Sequence, residues 1–409
     1  MLTIRNFVVV NNGKLDDTII VWFYPISMST SRINSMNNAW NRIVGKYFNG
    51  CSSFKLTESF APTLYFFNRF ATATNLVNVD IGGGTTDMAY AINKKLNFVT
   101  SFKFATNDLF ENMLLDAPRY PQNNGIVDFF KDDIINSLNK VSESLTTIAK
   151  ERDGMPAEMA SLFFSLKENN EVKGLNVNEI DFALQLSNNE EFKIVFVIFY
   201  SAIIYHLAKI LQLRKLTMPR HMTFSGNGSK IINVITNGNV EELQSYTKTL
   251  FKLMNVEGSD GIIEILGLSG DIEPKQSTCK GGILAVNAGD TKPNVESVVL
   301  KGDGSGFISA EDTFATINDV YINKTAAEIR TFFDFVLNKV NQRYNFNKKF
   351  GISIGSLGIA REVCFTDDIK TFIKKGKAIC EADAGGNPQV EETLFFYPIK
   401  GLLSCLSAK

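Results

Sequence analysis

The 409-residue sequence contains few of the residues on which many functional sites depend. It has two histidines, His206 and His221, which nearly excludes a histidine-rich metal site or a histidine-based catalytic triad. Its 42 basic and 43 acidic residues give a net charge of −1, so it lacks the basic excess that nucleic-acid binding requires. Five scattered cysteines include no C-x-x-C pair, which indicates neither a disulfide framework nor a structural zinc site.

Long apolar runs are also scarce. The N-terminus lacks the charged segment, apolar core and small-residue cleavage site of a secretory signal. One apolar run, residues 194–205, is shorter than the roughly 20 residues that a bilayer span needs. We therefore predict a buried helix there rather than a membrane span, and we expect a cytoplasmic protein.

Hydrophobic residues make up 44% of the chain and charged residues 21%, as is typical of a globular protein. The N-terminal part alternates between strand and helix patterns. Strands are predicted at 18–24, 53–56, 76–80, 88–92, 96–104 and 221–225. Helices are predicted at about 27–47, 58–69, 192–212, from 229 onwards and at 281–287, with 107–190 mainly helical. This order indicates an α/β sheet whose functional edge lies at the carboxyl ends of its strands.

From about residue 295 the pattern changes. Short strand-like segments at 297–300 and 307–309 flank a glycine-rich turn at 302–306, and a helix is predicted over 326–341. The apolar stripe of that helix is interpreted as core, with a docking surface as the alternative.

The strongest local signal is Asp80-Ile-Gly-Gly-Gly-Thr-Thr-Asp87, between a predicted strand and a predicted hairpin. Consecutive glycines let the backbone approach a ligand closely and turn several N–H groups toward one point, which suits phosphate. Thr85 and Thr86 add hydroxyl donors, and Asp80 can hold a hydrated Mg²⁺. Asp87 can brace the loop or contact a metal-bound water. The alternative is an ordinary glycine-rich hairpin, but the flanking acids and the leading strand favour phosphate binding.

A second glycine-rich turn follows another predicted strand, in Phe224-Ser-Gly-Asn-Gly-Ser-Lys230. It is not a P-loop, because Ser229 precedes the lysine and Ile231 follows it. It is not a dinucleotide fingerprint either, because Ile231 occupies the position of the third glycine. Taken alone, this turn fits a plain strand–helix connection equally well.

Together the two turns resemble those of the actin, heat-shock-chaperone and sugar-kinase ATPase superfamily. The family's second phosphate loop, D-x-G-G-G-T-x-D, is matched from Asp80 to Asp87 at every fixed position. Its adenosine loop resembles residues 225–229, with Asn227 replacing a usual glycine. Residues 56–62 resemble the first connecting helix, where an acid or amide orients the attacking water, and 278–285 resemble the second.

The resemblance implies an α/β, actin-like (ribonuclease-H-like) fold whose two lobes bind Mg·ATP between them and hydrolyse it slowly. Hydrolysis would drive a conformational or assembly change, with a protein partner or self-assembly. It implies Glu58 and Asp80 as catalytic residues, and Asp80 and Asp87 as the residues that organise Mg²⁺. Glu58 has a plainer interpretation as a solvated acid at the start of a helix, and Lys230 as a surface lysine. The nucleotide contacts expected from the resemblance are Gly82, Gly83, Gly84, Thr85, Thr86, Gly226, Asn227, Gly228, Ser229 and Lys230.

The resemblance also implies a domain order. Residues 1–75 would form a partial lobe I, and 76–278 would form lobe II with a helical insert at about 107–190. Residues 279–295 would be a connecting helix, and 296–409 a C-terminal α+β extension.

The family's first phosphate loop, D-x-G-[ST]-x-x-[ST], has no counterpart in residues 1–17. We therefore expect an incomplete first lobe, as in a fragment of a longer protein, and weak or no nucleotide binding by this chain alone. The alternative is a non-enzymatic scaffold or interaction module on a degenerate actin-like fold. A sugar or acetate kinase would need a substrate-binding acid or base that the sequence does not reveal.

Overall fold

The computed structural model describes residues 1–26, 28, 30–110, 125–167, 169–172, 177–268, 274–289 and 295–407. The strands in chain order are β1 Ile19–Tyr24, β2 Ser52–Thr57, β3 Asn75–Ile81, β4 Thr86–Ile92, β5 Lys95–Phe102, β6 His221–Ser225, β7 Glu264–Leu266 and β8 Glu296–Ser297.

Helices occupy most of the remaining described chain. In chain order they are α1 Leu2–Val10, α2 Thr30–Tyr47, α3 Phe60–Arg69, α4 Asn107–Phe110, α5 Ile126–Leu138, α6 Glu143–Glu151, α7 Pro156–Leu166, α8 Val177–Ile180, α9 Phe182–Asn188, α10 Lys193–Arg214, α11 Ile232–Thr236, α12 Val240–Leu253, α13 Pro274–Asn287, α14 Asp319–Asp334, α15 Asn341–Tyr344, α16 Phe346–Lys349, α17 Ile354–Cys364, α18 Asp368–Asp383 and α19 Phe396–Ser407. Short 3₁₀ helices lie at Asn170–Val172 and Asn227–Ile231, and a π-helical segment at Phe335–Val340 continues α14.

The strands form two separate sheets. β1 and β2 pair in parallel, and the larger sheet has the order β7-β6-β3-β4-β5-β8. Within it β3, β4 and β5 are antiparallel neighbours, whereas β6 runs parallel to β3 and β7 parallel to β6. The parallel register places Asp80 beside Ser225, so the two glycine-rich turns leave the sheet at the same edge.

The central strand β3 is buried on both faces, although Asn78 and Asp80 stand among its apolar residues. Val77, Val79 and Ile81 belong to the main hydrophobic core. Leu76 points to the opposite face and packs with Phe66 and Phe67 of α3. β3 is therefore held rigidly between two layers, and its carboxyl end is a fixed platform for the residues that follow.

Helix α10 crosses the main core. Its apolar residues surround the whole helix, and 94% of its most apolar 18-residue window is buried inside the protein. Among the described residues it is the one helix long and apolar enough to cross a membrane. An evenly apolar helix of this kind is explained by burial on all sides.

The two-stranded sheet lies between α2 on one face and α3 with α13 on the other. On the α2 face the rings of Trp22 and Trp40 lie 5.6 Å apart, and on the other face Gly282 of α13 lies against Phe23. α3 and α13 cross so closely that a Cβ at Gly281 would lie 1.7 Å from the Ala61 carbonyl oxygen. A glycine is therefore required at this crossing.

The segment after residue 295 is more helical than expected. β8 joins the large sheet beside β5, and Leu300 and Phe307 form an isolated bridge, but the remaining elements of this segment are helices. Phe396 of α19 stacks on Phe102 at 4.2 Å and on Phe104 at 4.7 Å. The segment thus shares the hydrophobic core of the large sheet.

The mixed α/β architecture is confirmed, and the predicted strands of the N-terminal part are found within a few residues of their expected bounds. Helix α1 was not predicted, and α3 begins at Phe60, so Glu58 precedes the helix. A helix was predicted over 326–341. In the structure α14 begins earlier, at Asp319, and continues after Asp334 into the π-helical segment. Residues 27 and 29 of the helix predicted at about 27–47, parts of the 107–190 region and residues 290–294 lie outside the described residues.

Candidate functional site

The first glycine-rich turn connects β3 to β4. The Gly82 N–H donates to the Thr85 carbonyl at 2.9 Å. The start of α4 holds the turn from outside, because Thr106 Oγ1 donates to the Gly82 carbonyl at 2.7 Å and the Asn107 N–H donates to the Gly83 carbonyl at 2.8 Å. Within the described part of the chain, no residue accepts a hydrogen bond from the N–H groups of Gly83, Gly84 or Thr85. Such a run of backbone donors suits an anion.

The second turn connects β6 to the 3₁₀ helix Asn227–Ile231. Gly226 has a φ of +77°, a conformation that favours glycine, and the Ser229 hydroxyl donates to its carbonyl at 2.7 Å. A Cβ at Gly226 would lie 2.3 Å from the Ile81 carbonyl oxygen, and one at Gly228 would lie 2.5 Å from the Gly82 carbonyl oxygen. The two turns therefore touch backbone to backbone, although about 140 residues separate them in sequence.

A cavity of about 680 Å³ opens over these turns. That volume lies within the range of roughly 300–1,000 Å³ typical of small-molecule sites. Its lining combines the turns with α4, α7, α13 and the ends of β1 and β2; the lining residues are Phe23, Glu58, Asp80, Gly82, Gly83, Thr85, Thr106, Asn107, Phe110, Ala157, Ala160, Ser161, Phe164, Ser165, Gly226, Asn227, Gly228, Lys230, Ile231, Thr278 and Cys279.

Asp80 lies at the floor of the cavity, at the end of β3. Its side chain is largely buried, and the Ser225 hydroxyl donates to its Oδ2 at 2.6 Å. A hydrogen bond of this length to a carboxylate is charge-assisted and strong. Asp80 thus presents a carboxylate with a fixed orientation to the cavity.

Asp87 faces Asp80 across the β3–β4 pair but does not line the cavity. It is buried, and it accepts a hydrogen bond from the Ile26 N–H at 3.1 Å. Burial, together with the nearby charge of Asp80, raises the pKa of Asp87 to about 7. Its contacts are those of a brace between the hairpin and the segment after β1.

Glu58 and Lys230 reach the cavity from different elements. Glu58 lies in the turn between β2 and α3, where its N–H donates to the Tyr24 carbonyl at 3.1 Å. Lys230 lies in the 3₁₀ helix after β6. Both side chains are half-buried and line the cavity, so the structure brings the predicted water-orienting acid to the same space as both glycine turns.

Four of the predicted site residues do not line the cavity: Gly84, Thr86, Asp87 and Ser229. Thr86 is fully buried and donates to the Phe104 carbonyl at 2.6 Å, and Ser229 closes the second turn. Gly84 is exposed, and a Cβ there would meet no atom within 4 Å. Thr86, Asp87 and Ser229 hold the turns in shape.

The sequence did not point to several lining residues. Thr106 and Asn107 follow β5, and the wall opposite the turns comes from the helical insert, where α7 contributes Ala157, Ala160, Ser161, Phe164 and Ser165. Small and apolar residues of α7 carry no local motif. The resemblance of residues 278–285 to a connecting helix did include Thr278 and Cys279.

The donor set of the cavity indicates which ligands fit. Among the described residues, no cluster of three or more His, Cys, Asp and Glu side chains could hold a metal ion. The Asp80 carboxylate would suit a hydrated Mg²⁺, because Mg²⁺ keeps several waters and is bound by few protein carboxylates. The Gly83 and Thr85 amides, from which no described residue accepts a hydrogen bond, would suit an anion such as phosphate.

No protein-family model matches the chain, and no curated protein sequence matches it. Among solved structures, it is similar to the crystal structure of MreB5 of Spiroplasma citri bound to ADP, with 14% identity and a TM-score of 0.32 over 70% of this chain and 74% of that chain. It is also similar to MreB 5 of Spiroplasma citri bound to AMPPNP, with 16% identity and a TM-score of 0.32 over 67% and 69%. At these values neither similarity defines the function of this chain.

Proposed function

We propose that this chain is an actin-like nucleotide-binding protein that binds Mg·ATP in the 680 Å³ cavity. One observation carries the proposal: two glycine turns, distant in sequence, meet backbone to backbone at the end of β3 and β6, beneath a cavity lined by Asp80 and Glu58. The larger sheet, with three antiparallel strands followed by parallel β6 and β7, has the arrangement expected of a ribonuclease-H-like lobe.

In this proposal the phosphates bind the amides of Gly83 and Thr85, which line the cavity. The nucleoside lies along Gly226, Asn227, Gly228 and Lys230. The wall from Phe110 and Phe164 supplies the apolar surface that a nucleobase needs. We assign residues 1–75 to a first lobe, 76–278 to a second, 279–295 to the connecting helix and 296–409 to an extension, in a cytoplasmic protein.

We further propose slow hydrolysis of the bound ATP. Phosphoryl transfer depends mainly on positioning and charge neutralisation, so it requires few side chains. Glu58 would orient the attacking water, and Asp80 would hold the waters of Mg²⁺. When bound, Mg²⁺ supplies charge neutralisation at the phosphates. Closure around the nucleotide would drive a conformational or assembly change.

Isothermal titration calorimetry and phosphate release test the proposal. We expect weak but saturable binding of Mg·ATP at one site per chain, because residues 1–17 contain no first phosphate loop. Asp80→Ala should weaken that binding by at least a further factor of about ten. Glu58→Gln keeps the size of the side chain and should reduce phosphate release by about 10²-fold or more, with little change in affinity. Failure of the folded chain to bind ATP at millimolar concentration would contradict the proposal.

A second candidate function, an assembly module, is favoured by α1. Phe7 is 69% exposed and Val10 78% exposed, and Leu2, Ile4 and Val9 are also exposed, so much of this helix presents apolar side chains to solvent. We propose that α1 mediates self-association of the chain.

Sedimentation velocity over a range of concentrations tests this candidate. We expect association that Phe7→Lys and Val10→Lys together abolish. Ile354→Lys is a matched control, because Ile354 is 82% exposed on α17. A wild-type chain that stays monomeric at high concentration would rule out self-association through α1.

A further inference from the structure

A line of buried polar side chains runs between β3 and β6 toward the cavity. The parallel register pairs Asn78 with Thr223 and Asp80 with Ser225, and all four side chains are buried. Because side chains alternate along a strand, Asn78 and Asp80 share the face on which Leu76 packs against α3. That face therefore changes from apolar to polar as the strands approach the cavity.

The hydrogen bonds along this line have one consistent direction. Thr223 Oγ1 donates to Asn78 Oδ1 at 2.9 Å, Asn78 Nδ2 donates to Ser225 Oγ at 3.1 Å, and Ser225 Oγ donates to Asp80 Oδ2 at 2.6 Å. Ser225 has a single hydroxyl hydrogen and accepts from Asn78. Its hydrogen therefore goes to Asp80, the shorter contact, rather than to Asn78 Oδ1 at 3.4 Å.

The core packing alone does not require these residues. A fully buried asparagine costs free energy unless its amide is hydrogen-bonded, and apolar residues of similar size would maintain the β3–β6 pairing equally well. The line ends at the one carboxylate that both lines the cavity and stands next to the first glycine turn. Its effect is to hold that carboxylate as a hydrogen-bond acceptor in one orientation.

We propose that Ser225 and Asn78 are positioning residues that orient Asp80 toward the hydrated Mg²⁺ of a bound nucleotide. The proposal rests on the proposed function and goes beyond it by assigning these two residues, which touch neither nucleotide nor metal. Ser225 fixes the carboxylate directly. Asn78 acts through Ser225 by fixing the direction of its hydroxyl.

The test is calorimetric titration of the full chain with ADP, in excess MgCl₂ and in EDTA. For the wild type we expect tighter binding in Mg²⁺. The ratio of the ADP affinity in Mg²⁺ to that in EDTA should be about tenfold smaller in Ser225→Ala than in the wild type. The affinity in EDTA should stay within about twofold of the wild-type value, because the lost hydrogen bond acts only through Asp80. Asn78→Leu should reduce this affinity ratio by a smaller factor. Ser225→Thr keeps the hydroxyl and should therefore have the wild-type ratio.

Ser201→Ala is the matched control. Ser201 is also fully buried, and it donates to the Val197 carbonyl in α10, away from the cavity. The Ser201→Ala variant should show the same ratio of ADP affinity between Mg²⁺ and EDTA as the wild type. Thermal unfolding of every variant identifies any that fail to fold. If Ser225→Ala fails to fold, Ser225→Thr is compared with the wild type instead.

The outcomes separate the two proposals. Unchanged Mg²⁺ dependence in Ser225→Ala, or an equal loss of affinity in Mg²⁺ and in EDTA, would overturn the positioning role and leave nucleotide binding intact. A folded wild-type chain that binds no ADP in either condition would overturn the proposed function and the positioning role together.

Discussion

At the scale of single residues, the contact between the two glycine turns depends on Gly228. A Cβ there would lie 2.5 Å from the Gly82 oxygen and 2.8 Å from Thr106 Oγ1. We predict that Gly228→Ala separates the turns, weakens nucleotide binding at least about tenfold and lowers the free energy of unfolding by about 1–3 kcal/mol. Calorimetry and urea denaturation measure both effects.

Gly358→Ala is the control for this substitution, because a Cβ at Gly358 in α17 would meet no atom within 4 Å. It should leave affinity and stability close to those of the wild type. If Gly228→Ala behaved like this control, the close contact between the turns would be irrelevant to binding.

His206 makes the stability of the protein depend on pH. It is buried in α10 against Phe102, at 4.7 Å between ring centroids, and neither of its nitrogens has a hydrogen-bond partner among the described residues. Burial lowers the pKa of His206 to about 3, below its ordinary value of 6.5. The unfolded chain therefore binds a proton that the folded chain does not, and stability is lost as the pH falls below about 6.5.

We predict that His206→Leu removes this part of the pH dependence. Between pH 7.5 and pH 5 the histidine should account for a loss on the order of 2 kcal/mol in the free energy of unfolding. Urea denaturation at the two pH values measures it, and His221→Leu serves as a control at a less buried histidine. The same decline in the wild type and in His206→Leu would show that other groups cause it.

The residue patterns pointed to one part of the cavity lining and missed another part, and the role of the first turn in phosphate binding stays a prediction. The flanking acids and glycines between Asp80 and Asp87 indicated a phosphate turn, because consecutive glycines followed a buried strand. The relation of Asn78 to Ser225 depends on the register of two strands some 145 residues apart, which no local pattern contains. Asp87 was assigned to Mg²⁺ or to bracing, and only the hairpin geometry shows its contact with Ile26.

At the scale of secondary-structure elements, α3 and α13 meet at Gly281. A Cβ there would lie 1.7 Å from the Ala61 oxygen, which is backbone and cannot rotate away. We predict that Gly281→Ala forces the two helices apart, lowers stability by about 1–3 kcal/mol and weakens nucleotide binding. Nucleotide binding is affected because Glu58, just before α3, and Thr278, on α13, both line the cavity and would move with their helices.

Gly45→Ala in α2 is the matched control, since a Cβ at Gly45 would meet no atom within 4 Å. Thermal unfolding and nucleotide titration of both variants make the comparison. Equal behaviour of the two variants would mean that the crossing tolerates a side chain.

Elements marked by apolar residues in the sequence could be predicted, whereas elements that depend on tertiary packing could not. Helix α10 contains the apolar run at 194–205, and β3 was indicated by Leu76, Val77 and Val79 ahead of the three glycines. Helix α1 contains Val8, Val9 and Val10, a β-branched run with low helix propensity, and packs through Met1 and Val8 on a small cluster around Ile20. The role of α7 as a wall of the cavity was hidden because it depends on how the helical insert folds over the turns.

At the scale of the whole molecule, the segment after residue 295 and the large sheet share one core. Phe396 of α19 is fully buried between Phe102 and Phe104. We predict that Phe396→Ala lowers the free energy of unfolding by about 3–5 kcal/mol. Ile354→Ala, at a side chain that is 82% exposed and outside α1, should cost less than about 1 kcal/mol. If the two substitutions cost the same in urea denaturation, α19 would not be part of the core.

We propose that one cavity, between the two glycine turns and α7, holds a nucleotide. A crystal structure of the chain soaked with a non-hydrolysable ATP analogue and Mg²⁺ tests this directly. We expect phosphate density against the amides of Gly83 and Thr85, with the nucleoside along Gly226 and Gly228. An empty cavity at saturating analogue, or a nucleotide bound elsewhere on the chain, would contradict it.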